Sequence, residues 1–158
     1  MKIKVLADKI AKRHNTRDPF QIANDLGFII IYAPLMEVRG FQQRVLRRNL
    51  IYINSNLDET QQRLVCAHEL GHYFLHRGTN RIFMDRSTDF VSQKAENEAH
   101  KFSVDLIYSD DMLEDVIYQP IDNIANYMGV SEKIAEYRVR KISLKSCHNR
   151  HRLEQIEE

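Results

Sequence analysis

Apolar residues recur with two different periods in the first third of the chain, and the switch between them separates helical from extended stretches. Ile3, Leu6, Ala7, Ile10 and Ala11 fall three and four residues apart, which predicts an amphipathic helix over residues 3–13 with that stripe in the core. A second, short helix is expected from Asp18. Aspartate is a good N-cap, Pro19 suits the first helical position, and Gln21 at the third completes a capping-box pattern. Gly27 can close that helix in the left-handed conformation. Phe28 to Tyr32 is aromatic and β-branched, predicting a mostly buried strand ended by Pro34. After Gly40, Phe41–Leu46 and Leu50–Asn54 predict two strands joined by an exposed basic turn at Arg47-Arg48-Asn49.

Helical spacing then returns. Asp58 with Gln61 three residues on marks a helix start. The helix runs through Leu64, Val65, Ala67, His68, Gly71, His72 and Leu75 and stops before Gly78. Residues 77–92 read as polar and irregular, with a short strand at Arg81–Met84. From Ser92 to about Tyr108 a further helix is expected, with Ala95, Ala99, Phe102 and Leu106 as its buried stripe. Residues 110–145 predict two or three short helices broken at Pro120 and Gly129, and 146–158 a frayed polar tail. The sum is an α+β single domain over residues 1–158, mostly helical, with a sheet of about three strands. Helices over 1–27 precede the sheet at 28–54, a long helical pair fills 58–108, and the helical part 110–145 follows.

Composition narrows the class. A chain of 158 residues can close a core without disulfides. Lys plus Arg is 23 against 22 for Asp plus Glu, so net charge gives no global argument for nucleic acid or an anionic membrane. Cys66 and Cys147 are far apart and form no CxxC pair, which fits free thiols in a reducing compartment. The N-terminal apolar residues are interrupted too often for a signal peptide, and the longest apolar run, Phe28–Pro34, is far short of the ~20 residues a bilayer span needs. A cytoplasmic location is the expectation.

The chemistry concentrates in His68-Glu69-Leu70-Gly71-His72. Four residues on a helix is about 40° of rotation, so both imidazoles project from one face and offer two corners of a tetrahedral zinc site. Glu69 stands where a general base reaches a water at the same metal. Gly71 lets another element approach the helix closely. With 7 histidines in the chain, a chance match to His-Glu-x-x-His arises about 2 times in 100, and this one falls inside a capped apolar helix. A catalytic zinc takes three protein ligands. Downstream candidates are Glu96, Glu98, His100 and Asp105. Glu98 lies beside the apolar stripe and shares a face with Phe102 and Asp105, whereas Glu96 reads as projecting from the opposite side. Glu98 is therefore the expected third ligand. Asp105 could orient a histidine from behind, or be a solvated or capping carboxylate. Tyr73 and His76 are candidates for stabilising an oxyanion, although His76 also reads as a polar residue closing the helix end.

The segment Cys66-Ala67-His68-Glu69-Leu70-Gly71-His72-Tyr73-Phe74-Leu75-His76 resembles the ImmA/IrrE family of metallo-endopeptidases. So does Glu96-Asn97-Glu98-Ala99-His100-Lys101-Phe102-Ser103-Val104-Asp105-Leu106, which looks like the family's second motif. Thr16–Gly27, Gly40–Asn54 and Asn123–Arg138 extend the resemblance over most of the chain. By this similarity His68, His72 and Glu98 correspond to ligands of one Zn2+, with Mn2+ or Fe2+ as alternatives, and Glu69 to the catalytic glutamate. The implied activity is metal-assisted hydrolysis of a peptide bond in a zincin-like site. Family members are typically encoded near, and act against, helix-turn-helix repressors of prophages and integrative elements, so the implied partner is such a repressor. The sequence departs from the family's Leu-Leu-Met-Pro-like helix end at Leu106-Ile107-Tyr108-Ser109, which has no proline.

Ile124–Arg140 itself resembles a helix-turn-helix, and Arg138, Arg140, Lys141, Lys145, Arg150 and Arg152 form a basic stretch. A nucleic-acid contact through 121–141 is the minority reading beside a packed helical pair with a solvated basic tail, because the whole chain is nearly neutral. Two rivals to the protease follow: a DNA-binding transcriptional regulator, and a non-catalytic repressor-binding or antitoxin-like module that retains the metal site. All three predict a monomer or small oligomer.

Overall fold

A computed structural model describes residues 2–76 and 89–153, which divide into two compact units, Met1–Ile107 and Tyr108–Glu158. The strand expected at Arg81–Met84 lies outside the described residues. Among those described, seven helices and one three-stranded sheet make a mostly helical α+β architecture.

In the first unit, α1 (Ile3–His14) buries Ala7, Ile10 and Ala11 as its spacing requires, and ends where Asn15 turns left-handed. Helix α2 (Pro19–Asp25) starts at Asp18, whose side chain accepts from the Phe20 amide. The expected capping box does not close there: Gln21 donates instead to Asp25, one turn along. Gly27 takes the left-handed conformation with φ 77° and turns the chain into the sheet.

Strands β1 (Ile29–Ala33), β2 (Gly40–Val45) and β3 (Arg48–Asn54) are ordered β1-β3-β2. β1 runs parallel to β3, with Ile29 opposite Leu50, and β2 antiparallel, with Gly40 opposite Ile53. The apolar β1 is a correction to the buried strand expected: it pairs on one side only, and Ile29 and Tyr32 are exposed at the edge. The β2–β3 turn is also tighter than expected. Leu46 and Arg47 both have positive φ, the signature of a two-residue hairpin turn that matches strand twist. Central β3 buries Ile51 and Ile53 completely.

Helix α3 (Glu59–Leu75) begins at Asp58, whose carboxylate accepts from the Gln61 amide as its spacing predicts. It packs on β3 and β2 and, most extensively, against α4 (Asp89–Ile107). Two glycines set these distances. A Cβ on Gly71 would stand 3.1 Å from Ala99 Cα and 3.2 Å from Phe102 Cβ, so α3 and α4 touch there nearly backbone to backbone. A Cβ on Gly40 would stand 2.6 Å from the Tyr52 carbonyl oxygen while also striking the Val65 side chain. Arg17 ties the other end of α4 to α1. It donates to the carbonyls of Asp105 and Leu106 at 3.1 and 3.0 Å and pairs with Asp8 at 2.6 Å.

The second unit contains α5 (Asp110–Leu113), α6 (Ile121–Met128) and α7 (Glu132–Leu153). The break falls at Gly129, left-handed with φ 69°. The third helix is longer than expected and continues into the stretch read as a frayed tail. Arg138 is fully buried in this unit, donating to the Tyr108 carbonyl and to Asp110. That burial removes one member of the basic stretch from any nucleic-acid surface.

Candidate metal centre

The site is assembled where the Gly71 contact brings α3 and α4 together. His68 and His72, one turn apart on α3, turn their Nε2 atoms toward each other at 3.1 Å. The carboxylate of Glu96, from α4, spans both: Oε2 lies 3.1 Å from His68 Nε2 and Oε1 3.1 Å from His72 Nε2. His100, one turn after Glu96, stacks obliquely beside His68 with ring centroids 4.4 Å apart. Single ligand atoms of His68, Glu96 and His100 all fall within 4.8 Å of one another.

The electrostatics follow from that crowding. Hydrogen bonds from His68, then from His72, hold the Glu96 carboxyl far below the usual carboxylate range, against the opposing effect of burial. Burial first, then the positive field of His68, pushes His100 down to about 4, so it is a neutral imidazole near neutral pH. Exposed Arg39, which donates to Gln61 on α3, adds to the same field.

Of the seven expected site residues, His68, His72 and His76 meet in this cluster, Glu69 follows His68 on the same helix, and Glu98, Asp105 and Tyr73 stand apart from the His68–His72 pair. His68 and His72 converge as their spacing requires. Glu69 is buried on α3 directly after His68. Glu98, expected as the third ligand, lies with its Oε2 3.0 Å from His76 Nε2, and the carboxylate beside His68 and His72 is that of Glu96. The reason is helix phase. Ala99 is pressed against Gly71, and Glu96, three residues before Ala99, shares that face. The expectation that Glu96 points away took the alanine stripe as facing only the core. His76 is drawn into the site as well, its Nδ1 3.1 Å from His72 Nδ1. Asp105 is fully buried, with its carbonyl bound by Arg17, and Tyr73 stands edge-on to Phe28. The closeness of His100 and Arg39 to the centre carries no periodic signal in the sequence.

The donor set fits a divalent cation. Two imidazole nitrogens 3.1 Å apart, bridged by one carboxylate, converge on a common point, where a dication would replace the protons they donate to Glu96. The buried Nδ1 of His68 has no hydrogen-bond partner among the described residues. Nitrogen and carboxylate donors in this number suit Zn2+.

Comparison with known proteins places the chain among relatives. It is 33% identical over 139 residues to uncharacterized immunity region protein 2 of Bacillus phage phi105, covering 86% of this chain and 88% of that protein. It is 30% identical over 146 residues to metallopeptidase ImmA of Bacillus subtilis (strain 168), covering 89% and 85%. A solved Mycobacterium tuberculosis transcriptional regulator superposes with a TM-score of 0.60 at 13% identity. That match spans 87% of this chain but 46% of the regulator, and it shows a shared fold alone. Residues 23–140 match the model of the peptidase M78 family, described as the IrrE N-terminal-like domain, and with the donor-bearing helices α3 and α4 inside that match the chain belongs to this metallopeptidase family.

Proposed function

We propose that this chain is a zinc-dependent endopeptidase of the cytoplasm that cleaves a protein substrate, a helix-turn-helix repressor of a prophage or mobile element. The observation that carries the reading is the convergence of His68 Nε2, His72 Nε2 and the Glu96 carboxylate at 3.1 Å. These three residues, with His100 beside them, would hold one Zn2+ per chain, which would supply a Lewis acid for the peptide carbonyl and for water. The rest of the chemistry belongs to the chain. Glu69, buried next to His68, takes the proton from the attacking water and hands it to the leaving amine. Gly71 lets α4 carry Glu96 to the histidines. Glu96, held as a carboxylate by its two imidazole neighbours, supplies the negative charge that offsets a dication. The repressor as substrate is supported by the resemblance of both motifs and by the immunity-region relative.

The test is Glu69→Gln beside wild type, each loaded with zinc and incubated with the helix-turn-helix repressor encoded next to the gene. Wild type cuts the repressor. The variant keeps one zinc per chain and loses cleavage by about 10²-fold or more, the usual worth of a general base. A variant that binds zinc and still relieves repression in cells would move the non-catalytic repressor-binding reading ahead.

A further inference from the structure

The two histidines of the motif are supported differently, and the difference lies outside the ligand set. His72 Nδ1, the nitrogen turned away from Glu96, lies 3.1 Å from His76 Nδ1. The other nitrogen of His76, Nε2, lies 3.0 Å from Glu98 Oε2. His76 follows His72 by one turn of α3, and Glu98 follows Glu96 by two residues on α4, so two elements build the chain His72–His76–Glu98.

The directions of these hydrogen bonds follow from elementary chemistry. An ionised carboxylate can only accept, so His76 donates to Glu98 from Nε2. A neutral imidazole that carries its proton on Nε2 presents a bare lone pair at Nδ1. The facing Nδ1 of His72 must then be the protonated one, donating to His76. By the same rule His72 Nε2 donates to the Glu96 carboxylate beside it while no metal is bound; a cation that displaces this proton meets the Nε2 lone pair, with Nδ1 still donating to His76.

We propose that Glu98 and His76 are a positioning pair that fixes the tautomer and ring orientation of His72, presenting its Nε2 lone pair to the metal centre. Neither residue touches the metal or the substrate. This inference rests on the metal-centre reading above, and it gives Glu98 a role other than the ligand role expected from the sequence. Imidazole ligands are commonly held through their second nitrogen, and loss of such support costs about 10- to 100-fold in metal affinity. Here the support reaches its carboxylate through a second histidine.

The first measurement needs no substitution. A two-bond proton–nitrogen correlation spectrum of the 15N-labelled, zinc-loaded protein at about pH 8, above the ordinary histidine value, reports the tautomer of each ring. His76 should be protonated at Nε2 alone and His72 at Nδ1; His76 protonated at Nδ1 would overturn the proposal. The second measurement is zinc affinity by competition with a chromophoric chelator. Glu98→Ala should keep one zinc per chain and bind it about 10- to 100-fold more weakly. His76→Asn places an amide oxygen where Nδ1 stood, an acceptor that needs no help from Glu98. It should retain affinity within a few-fold and make Glu98→Ala silent. An equal loss on Glu98→Ala in both backgrounds means that Glu98 acts through packing, and the relay is wrong. Glu96→Gln separates the two readings. If it binds zinc as tightly as wild type, or wild type binds none, the metal centre itself is misassigned, whatever Glu98→Ala does.

Discussion

Each unit of this molecule holds a polar centre, and the two are built in opposite ways. In Tyr108–Glu158 the centre carries its own cation: Arg138, fully buried, donates through Nε and Nη2 to the Tyr108 carbonyl at 3.2 and 2.7 Å and through Nη2 to Asp110 at 2.6 Å. In Met1–Ile107 the proposed acceptor centre sets the Glu96 carboxylate against His68 and His72 at 3.1 Å, imidazoles that can lose a proton and accept instead. A guanidinium keeps its protons, so donors around a carbonyl are a brace; imidazoles can give theirs up to a cation, as the proposed ligand set requires. The contrast separates a centre whose donors can become metal ligands from one whose donors cannot.

The contrast breaks most sharply at Arg138. Arg138→Ala leaves the Asp110 carboxylate and the Tyr108 carbonyl without this partner, and removing one member of a buried pair costs about 3–5 kcal/mol. Denaturant unfolding followed by far-UV circular dichroism should show that loss, and zinc should not restore it. Adding zinc tests the other centre. At a free concentration 100 times its dissociation constant, a ligand bound only by the folded state stabilises by about 2.7 kcal/mol. Thermal unfolding of wild type should move upward with zinc, and Glu96→Gln should abolish the gain. A zinc-independent midpoint in wild type would mean that the acceptor cluster is another brace.

The sequence spoke clearly where one helix turn decides. Asp58 capping the Gln61 amide, the helix break at Gly129 and the pairing of His68 with His72 are local, and each is where its spacing puts it. The carboxylate beside them was not legible in the same way. Glu96 and Glu98 stand about 200° apart on a helix, and which of them faces α3 depends on Ala99 meeting Gly71. That is a tertiary contact that the alanine stripe alone does not specify. β1 misled for a related reason: its composition is that of a buried strand, but its neighbours leave it at the sheet edge. Arg138 was legible in hindsight. It follows buried Ile134 and Ala135 by four and three residues and precedes buried Ile142 by four, an arginine on the apolar stripe of its helix. The basic stretch around it drew attention to charge and away from phase.

Gly71 tests whether the acceptor centre depends on close helix approach. Gly71→Ala puts a Cβ 3.1 Å from the Phe102 ring and from Ala99 Cα, closer than ordinary contact. Alanine favours the helix by about 1 kcal/mol over glycine, so the gain in propensity opposes the strain. Overpacking typically costs about 1–3 kcal/mol, so the net loss of stability should be about 2 kcal/mol or less. The sharper readout is zinc affinity, which should fall further than stability does, because α4 cannot move off α3 without carrying Glu96 from the histidines. An affinity that holds while stability drops would show that the ligand set tolerates a wider helix spacing.

The smallest effect lies away from both centres and asks whether α4 is held at its far end by charge. Asp8 pairs with Lys4 at 3.2 Å and with Arg17 at 2.6 Å, and Arg17 grips the last carbonyls of α4. Burial raises the Asp8 carboxyl, but hydrogen bonds and charge from Arg17 and Lys4 outweigh it and hold the group below its ordinary value of 3.8. A carboxylate whose folded value is depressed stabilises the fold above its unfolded value and loses that contribution as pH falls through the folded one. The Asp8 contribution should therefore be complete above about pH 4 to 5 and disappear on acidification below it. Its side chain is 33% exposed, so the magnitude should be that of a surface pair, about 1 kcal/mol or less. Asp8→Asn should flatten this part of the stability profile between about pH 5 and pH 2 while leaving zinc affinity at neutral pH unchanged. A variant with the wild-type acid profile would show that Arg17 holds α4 through the carbonyls alone, and that the carboxylate adds nothing to the grip.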